Sequence, residues 1–79
     1  MHFYFSKVFI NDLHTTELGV ERIRRNLSLD DSIDVVDFCR KLILDESAIF
    51  ERRGKNWYVT SGGVIITINA GSNTIITAH

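Results

Sequence analysis

Residues 48–79 constrain the fold more than any other part of this chain. They read AIFERRGKNWYVTSGGVIITINAGSNTIITAH, apolar runs broken by short links that carry Gly or Asn. β-Branched and aromatic residues dominate the runs, and no proline interrupts them. Such side chains suit a pleated, half-buried backbone, whereas Gly and Asn tolerate the positive φ angles of tight turns. The pattern predicts an antiparallel meander of about four strands, over 48–53, 57–60, 64–70 and 74–79. The links, Gly54-Lys55-Asn56, Ser61-Gly62-Gly63 and Gly71-Ser72-Asn73, are each short enough for a hairpin.

The last hairpin suggests a register. A loop of Gly71-Ser72-Asn73 sets Ala70 against Thr74, Ile68 against Ile76 and Ile66 against Ala78, a nearly all-apolar face. The opposite face then pairs Thr67 with Thr77, Asn69 with Ile75 and Ile65 with His79. A slip of one residue exchanges the two faces, so this clean separation favours the three-residue loop. Trp57 and Tyr58 are neighbours on a strand and point to opposite faces; one anchors the core, and the pattern does not say which.

The preceding residues read as helices. In LHTTELGVERIRRNL, Thr15 or Thr16 supplies an N-cap and Glu17 a favourable first-turn charge. Val20, Ile23 and Leu27 form an apolar stripe, and Glu21 is spaced to pair with Arg24 or Arg25. Gly19 costs a helix interior about 1 kcal/mol relative to alanine, so it marks either close packing or a late helix start. Residues 28–32 (SLDDS) form a break and the next cap. A second helix follows to about Leu44, with a stripe of Val35, Phe38, Cys39 and Leu42 widened by Val36 and Ile43. On its polar side Asp37 and Lys41 make a favourable i, i+4 pair. Residues 3–10 (FYFSKVFI) admit a strand, an arm or a helix start.

The expected architecture is therefore α+β, with two N-terminal helices packed on one face of a C-terminal antiparallel meander. One domain spans 1–79: an N-terminal arm or strand (1–12), a helical part (13–45) and the sheet (48–79). A chain of 79 residues has room for one core. It buries only roughly 60–65% of its unfolded surface, so association into a dimer is a natural way to bury more. A net charge of −1 gives no overall attraction to nucleic acid or to an anionic membrane. No run is long enough for a membrane span, and the opening residues lack the basic and small-residue features of a signal peptide. The single cysteine, Cys39, excludes an intrachain disulfide and favours a reducing compartment, so the expected location is cytoplasmic.

The chemistry available is sparse. The second sheet face collects Thr67, Asn69, Thr77 and His79, hydroxyls and an amide beside an imidazole able to act as general acid or base. Threonines are also ordinary residues of a solvated strand face. Basic residues form two groups, Arg22, Arg24 and Arg25 on the first helix and Arg52, Arg53 and Lys55 at the first hairpin. Glu17, Glu21 and Glu51 interleave with them, as on a salt-bridged surface. His2, His14, Cys39 and His79 show no zinc-like spacing, so no metal site and no cofactor is expected. Cys39 falls on an apolar stripe with no base beside it, and reads as a small core residue. Gly62-Gly63 is too short for a phosphate loop and reads as a turn.

The blocks TELGVERIRRNL, GKNWYV and ITIN…TIITAH together resemble a family of small bacterial proteins known as domain of unknown function 3781, over Leu13 to His79. The resemblance implies a bacterial cytosolic protein and carries no activity. The ending is also similar to the strand ends of small antiparallel-sheet ribonuclease toxins, an analogy of fold that transfers no catalytic motif. Two functions follow. The first is a non-catalytic interaction module that binds another macromolecule or itself, with a homodimer or a protein as partner. The second is a metal-independent endoribonuclease acting on RNA. There His79 is the acid or base, Thr67 and Thr77 are hydrogen-bond donors, and Asn69, Arg22, Arg25 and Lys55 bind the substrate.

Overall fold

The structure, a computed structural model, describes residues 10–79. Two helices, α1 (Glu17–Leu27) and α2 (Val35–Leu44), precede four strands: β1 (Ile49–Arg53), β2 (Asn56–Ser61), β3 (Val64–Asn69) and β4 (Thr74–Ala78). The strands form one antiparallel sheet in the order β1-β2-β3-β4, a meander on an α+β plan. The aromatic opening lies outside the described residues except for its last member, Ile10, which is buried and helical rather than extended.

Both helices start at side-chain caps. The Thr16 hydroxyl accepts from the Gly19 amide at 3.0 Å, and the Asp34 carboxylate accepts from the Asp37 amide at 3.0 Å. The second cap is thus Asp34 and not a residue of 28–32, and α2 begins two residues later than the run of apolar side chains suggests. That earlier segment makes a turn of its own: Asp30 accepts from the Ser32 hydroxyl and amide, which holds its carboxyl below the usual range. Arg24 does not pair with Glu21. Its guanidinium donates to the Ile33 carbonyl at 2.9 Å and faces Asp31 at 3.8 Å, so it bridges the two helices across their link. The expected Asp37–Lys41 pair is present at 3.5 Å.

One core lies between the helices and the sheet. Ile23 from α1 and Val35, Cys39 and Ile43 from α2 meet Val59, Ile66, Ile68, Ile75 and Ala78 from the strands. On α2 the buried line runs at i, i+4, i+8, with Leu42 and Val36 packed at its margin and Phe38 only half-buried. Each buried Ile or Val contributes roughly 1.5–3 kcal/mol.

The links differ from the three-residue reading. β1 and β2 are joined by Gly54-Lys55 and β2 and β3 by Gly62-Gly63, two-residue turns in which Gly54, Gly62 and Gly63 all have positive φ. The β3–β4 link is longer, residues 70–73, closed by Asn73 at φ 61° with its amide on the Asn69 carbonyl at 2.8 Å.

A bulge absorbs the change of register. Ile66 faces Ala78 and Thr67 faces Thr77, as expected, but Ile68 then faces Ile75 and Asn69 faces Thr74. Ile76 is the extra residue of β4. Ile75 is 1% exposed and Ile76 36%. The sheet gains a fully buried isoleucine opposite Ile68, a gain of apolar burial that the regular register would have given to Ile76 instead.

Candidate interaction face

Because the helices and the buried cluster occupy one side of the sheet, alternation places a second set of side chains on the other. The pairing sorts them into three rows across the strands. One end carries Ile49, Thr60, Ile65 and His79, the last placed by two backbone hydrogen bonds with Ile65 at 2.8 and 3.1 Å. The middle row is Glu51, Tyr58, Thr67 and Thr77, and the far row Arg53, Asn56, Asn69 and Thr74. None of these residues belongs to the core cluster or packs at its margin among the described residues.

The first row carries two exposed isoleucines beside Thr60 and His79. Ile49 is 66% exposed and Ile65 38%, with Thr60 between them on the neighbouring strand. In the middle, Tyr58 answers the question left by the Trp57-Tyr58 pair. Trp57 packs at the margin of the core with Phe50 edge-on to it, ring centroids 6.4 Å apart, while Tyr58 lies on the uncovered face. The Arg53 guanidinium sits 4.2 Å from the Tyr58 ring centre and 3.5 Å from Glu51. Among the described residues Glu51 and Arg53 are the carboxylate and the guanidinium in these rows, and they offset each other locally.

The far row runs into a polar corner that local sequence patterns do not reveal. The Asn69 side-chain oxygen accepts from the Gly71 and Ser72 amides at 2.9 and 3.0 Å. The Ser72 hydroxyl lies 2.7 Å from that of Thr74, and Thr74 lies 3.1 Å from Nε2 of His14. Nδ1 of His14 meets the Asp12 carbonyl at 3.0 Å. His14 is placed by a short parallel bridge to β4, its amide on the Asn73 carbonyl and its carbonyl on the Ile75 amide. The residues involved are 60 positions apart, which is why no spacing rule finds them.

The sequence-selected residues divide between the two ends. Thr67 and Thr77 are paired, and His79 stands beside them at the apolar end. Thr67 is nevertheless buried, and the Thr77 hydroxyl lies 3.4 Å from the amide nitrogen of Asn26, which also donates to the Ala78 carbonyl at 3.2 Å. Asn69 and Lys55 belong to the opposite end, where the Lys55 carbonyl accepts from the Ala70 amide. Arg22 and Arg25 are exposed on α1, in the helical layer; Arg22 is one turn before Asn26 on the same side of the helix. No ion pair engages Arg22, Arg25 or Lys55 among the described residues. Cys39 is buried, and burial pushes its thiol up to about 11. Among the described residues no group of three or more His, Cys, Asp or Glu gathers as metal ligands would. No described helix is long and apolar enough to cross a membrane.

No curated protein and no solved structure matches the chain. A family model does, over residues 8–79, which takes in the sheet, both helices and the bridge at His14. The chain belongs to the family described as "Protein of unknown function (DUF3781)".

Proposed function

We propose that this domain is a non-catalytic interaction module that contacts a macromolecular partner through the uncovered face of its sheet. The observation that carries the reading is the exposure of Ile49 and Ile65 on either side of Thr60, on a face that neither helix covers. Two exposed isoleucines in one row across the strands are a local cost that a partner surface removes. The neutralised Glu51–Arg53 pair beside them favours a partner that is not a polyanion. A photo-crosslinking residue at Thr60 tests this directly. In cell extract it gives discrete products that vanish in an Ile49→Thr/Ile65→Thr background. Products unchanged by the double substitution overturn the reading.

The endoribonuclease reading has one observation in its favour. Asn26 ties α1 to Thr77 and Ala78, so the helix that carries Arg22 runs beside the strand that leads to His79. Against it, Lys55 and Asn69 lie at the other end of the sheet from His79. Incubation with total RNA, with His79→Ala alongside and salt varied, decides. Cleavage lost in the variant supports the nuclease, and intact RNA at every salt concentration removes it.

A further inference from the structure

We propose that the Thr74 hydroxyl is a covalent acyl-acceptor site, activated by His14 toward an ester or thioester with a good leaving group. The proposal goes beyond the interaction reading and does not depend on it.

The proton positions follow from the contacts. The Asp12 carbonyl can only accept, so Nδ1 of His14, 3.0 Å from it, carries the proton of the neutral ring. Nε2 is then the bare nitrogen, and it accepts from the Thr74 hydroxyl at 3.1 Å. With that proton committed, Ser72 is the donor in its 2.7 Å contact with Thr74. Thr74 therefore sits between a base that takes its proton and a donor that favours the negative charge left on its oxygen. A hydroxyl, a base within reach and a third group that orients the base are what an activated nucleophile requires. The backbone of His14 is held on β4 through its amide and its carbonyl, which keeps the ring at Thr74.

Asn69 adds a donor for the attacked carbonyl. It pairs with Thr74 across β3 and β4. Its side-chain oxygen accepts from the Gly71 and Ser72 amides, which fixes the orientation of the group. Its amide nitrogen enters no hydrogen bond among the described residues, and so keeps its N–H groups for a developing oxyanion. Other hydroxyls lack such a base. Ser32 and Ser47 meet the carboxylates of Asp30 and Asp45, which lie below their usual range and take protons poorly. Thr15 donates to a backbone carbonyl. His14 and Ser72 are exposed and Thr74 is half-buried, so a small ester reaches the corner from solvent.

In the reaction Thr74 Oγ1 bonds to the acyl carbon while its proton passes to His14 Nε2. The bond from the acyl carbon to the leaving oxygen or sulfur then breaks, and that atom departs with the electron pair. His14 returns the proton to the leaving group or to solvent, and Thr74 is left as an ester. The alkoxide of that ester is a poorer leaving group than a phenolate or thiolate, so the modified chain accumulates.

Reaction of the full chain with p-nitrophenyl acetate tests the proposal, with Thr74→Val, Thr74→Ser and His14→Gln alongside. The wild-type chain releases a stoichiometric burst of nitrophenolate, and peptide mass mapping finds the acetyl group on Thr74. Thr74→Val and His14→Gln lower the burst rate at least about tenfold, whereas Thr74→Ser retains it. Circular dichroism separates lost activation from lost folding, and the mapping of the wild-type chain stands whatever the variants do. No burst, an acetyl group on a lysine, the amino terminus, His14 or Ser72 instead of Thr74, or an equal burst from folded Thr74→Val overturns the proposal.

Discussion

The Thr15 hydroxyl donates to the Ile75 carbonyl at 2.7 Å, fastening the residue before the α1 cap to an edge strand 60 positions away. A Cβ at Gly19 would collide with that hydroxyl, so the glycine in the first turn of α1 is the space the fastening needs. The choice between close packing and a late helix start is thereby settled in favour of packing: α1 starts at Glu17 and runs through Gly19. His14 and Asn26 extend the same seam, and together they satisfy backbone groups of β4 that would otherwise face water or another chain.

Thr15→Val removes the donor and leaves the Ile75 carbonyl short of a partner, and is expected to cost about 1–2 kcal/mol. Gly19→Ala forces Thr15 aside and is expected to cost about 1–3 kcal/mol, although alanine is the better helix former. Both substitutions break one contact, so the double variant loses less than the sum. Urea unfolding of the four proteins measures all three values.

The bulge in β4 makes neighbouring isoleucines unequal. Ile75→Ala empties a fully buried site opposite Ile68 and is expected to cost about 2–5 kcal/mol. Ile76→Ala removes a side chain that is 36% exposed and is expected to change stability by less than about 1 kcal/mol. Equal losses in thermal or urea unfolding would mean that the strand runs without the extra residue.

These two isoleucines also show where sequence reading reaches its limit. β-Branched runs and glycine turns were enough to give a meander with helices on one face, because period-two alternation and Gly conformational freedom act locally. The register failed past Thr67 because Ile75 and Ile76 are chemically identical, and alternation cannot say which one a bulge turns inward. Thr67 and Thr77 were paired correctly because the extra residue Ile76 offsets a link one residue longer than expected, whereas Asn69 was set against Ile75 and lies against Thr74. The second face was legible at Thr67, Asn69, Thr77 and His79, though the pattern left open which of Trp57 and Tyr58 it carries. The corner of His14, Ser72 and Thr74 was not, because it depends on a bridge between segments with no shared pattern.

Ser28 closes α1 in the left-handed region, φ 55° and ψ 45°, with its amide on the Arg24 and Arg25 carbonyls. A side chain there is strained, and glycine is not. Ser28→Gly relieves that strain but frees the unfolded chain, and the balance is expected to raise stability by about 0.5 kcal/mol. Ser28→Val, β-branched at the same position, is expected to lower it. A rise in melting temperature for glycine and a fall for valine, by circular dichroism, checks the sign.

Cys39 provides a probe of the whole core. It is fully buried between the helices and the sheet, and desolvation pushes its thiol from 9.0 up to about 11. The folded chain therefore keeps its proton through a range in which the unfolded chain releases one. Stability from this group is complete below about pH 9 and is lost as pH rises toward about 11, since ionisation favours the unfolded state. Cys39→Ala removes that alkaline slope, at a cost of about 1 kcal/mol for the space left behind. The same burial makes thiol labelling depend on opening of the core. At neutral pH the rate of reaction with a disulfide reagent should rise with urea in step with global unfolding. Fast labelling of the native chain, or an alkaline slope that survives Cys39→Ala, would place the thiol at the surface and contradict the packing of α2 on β2.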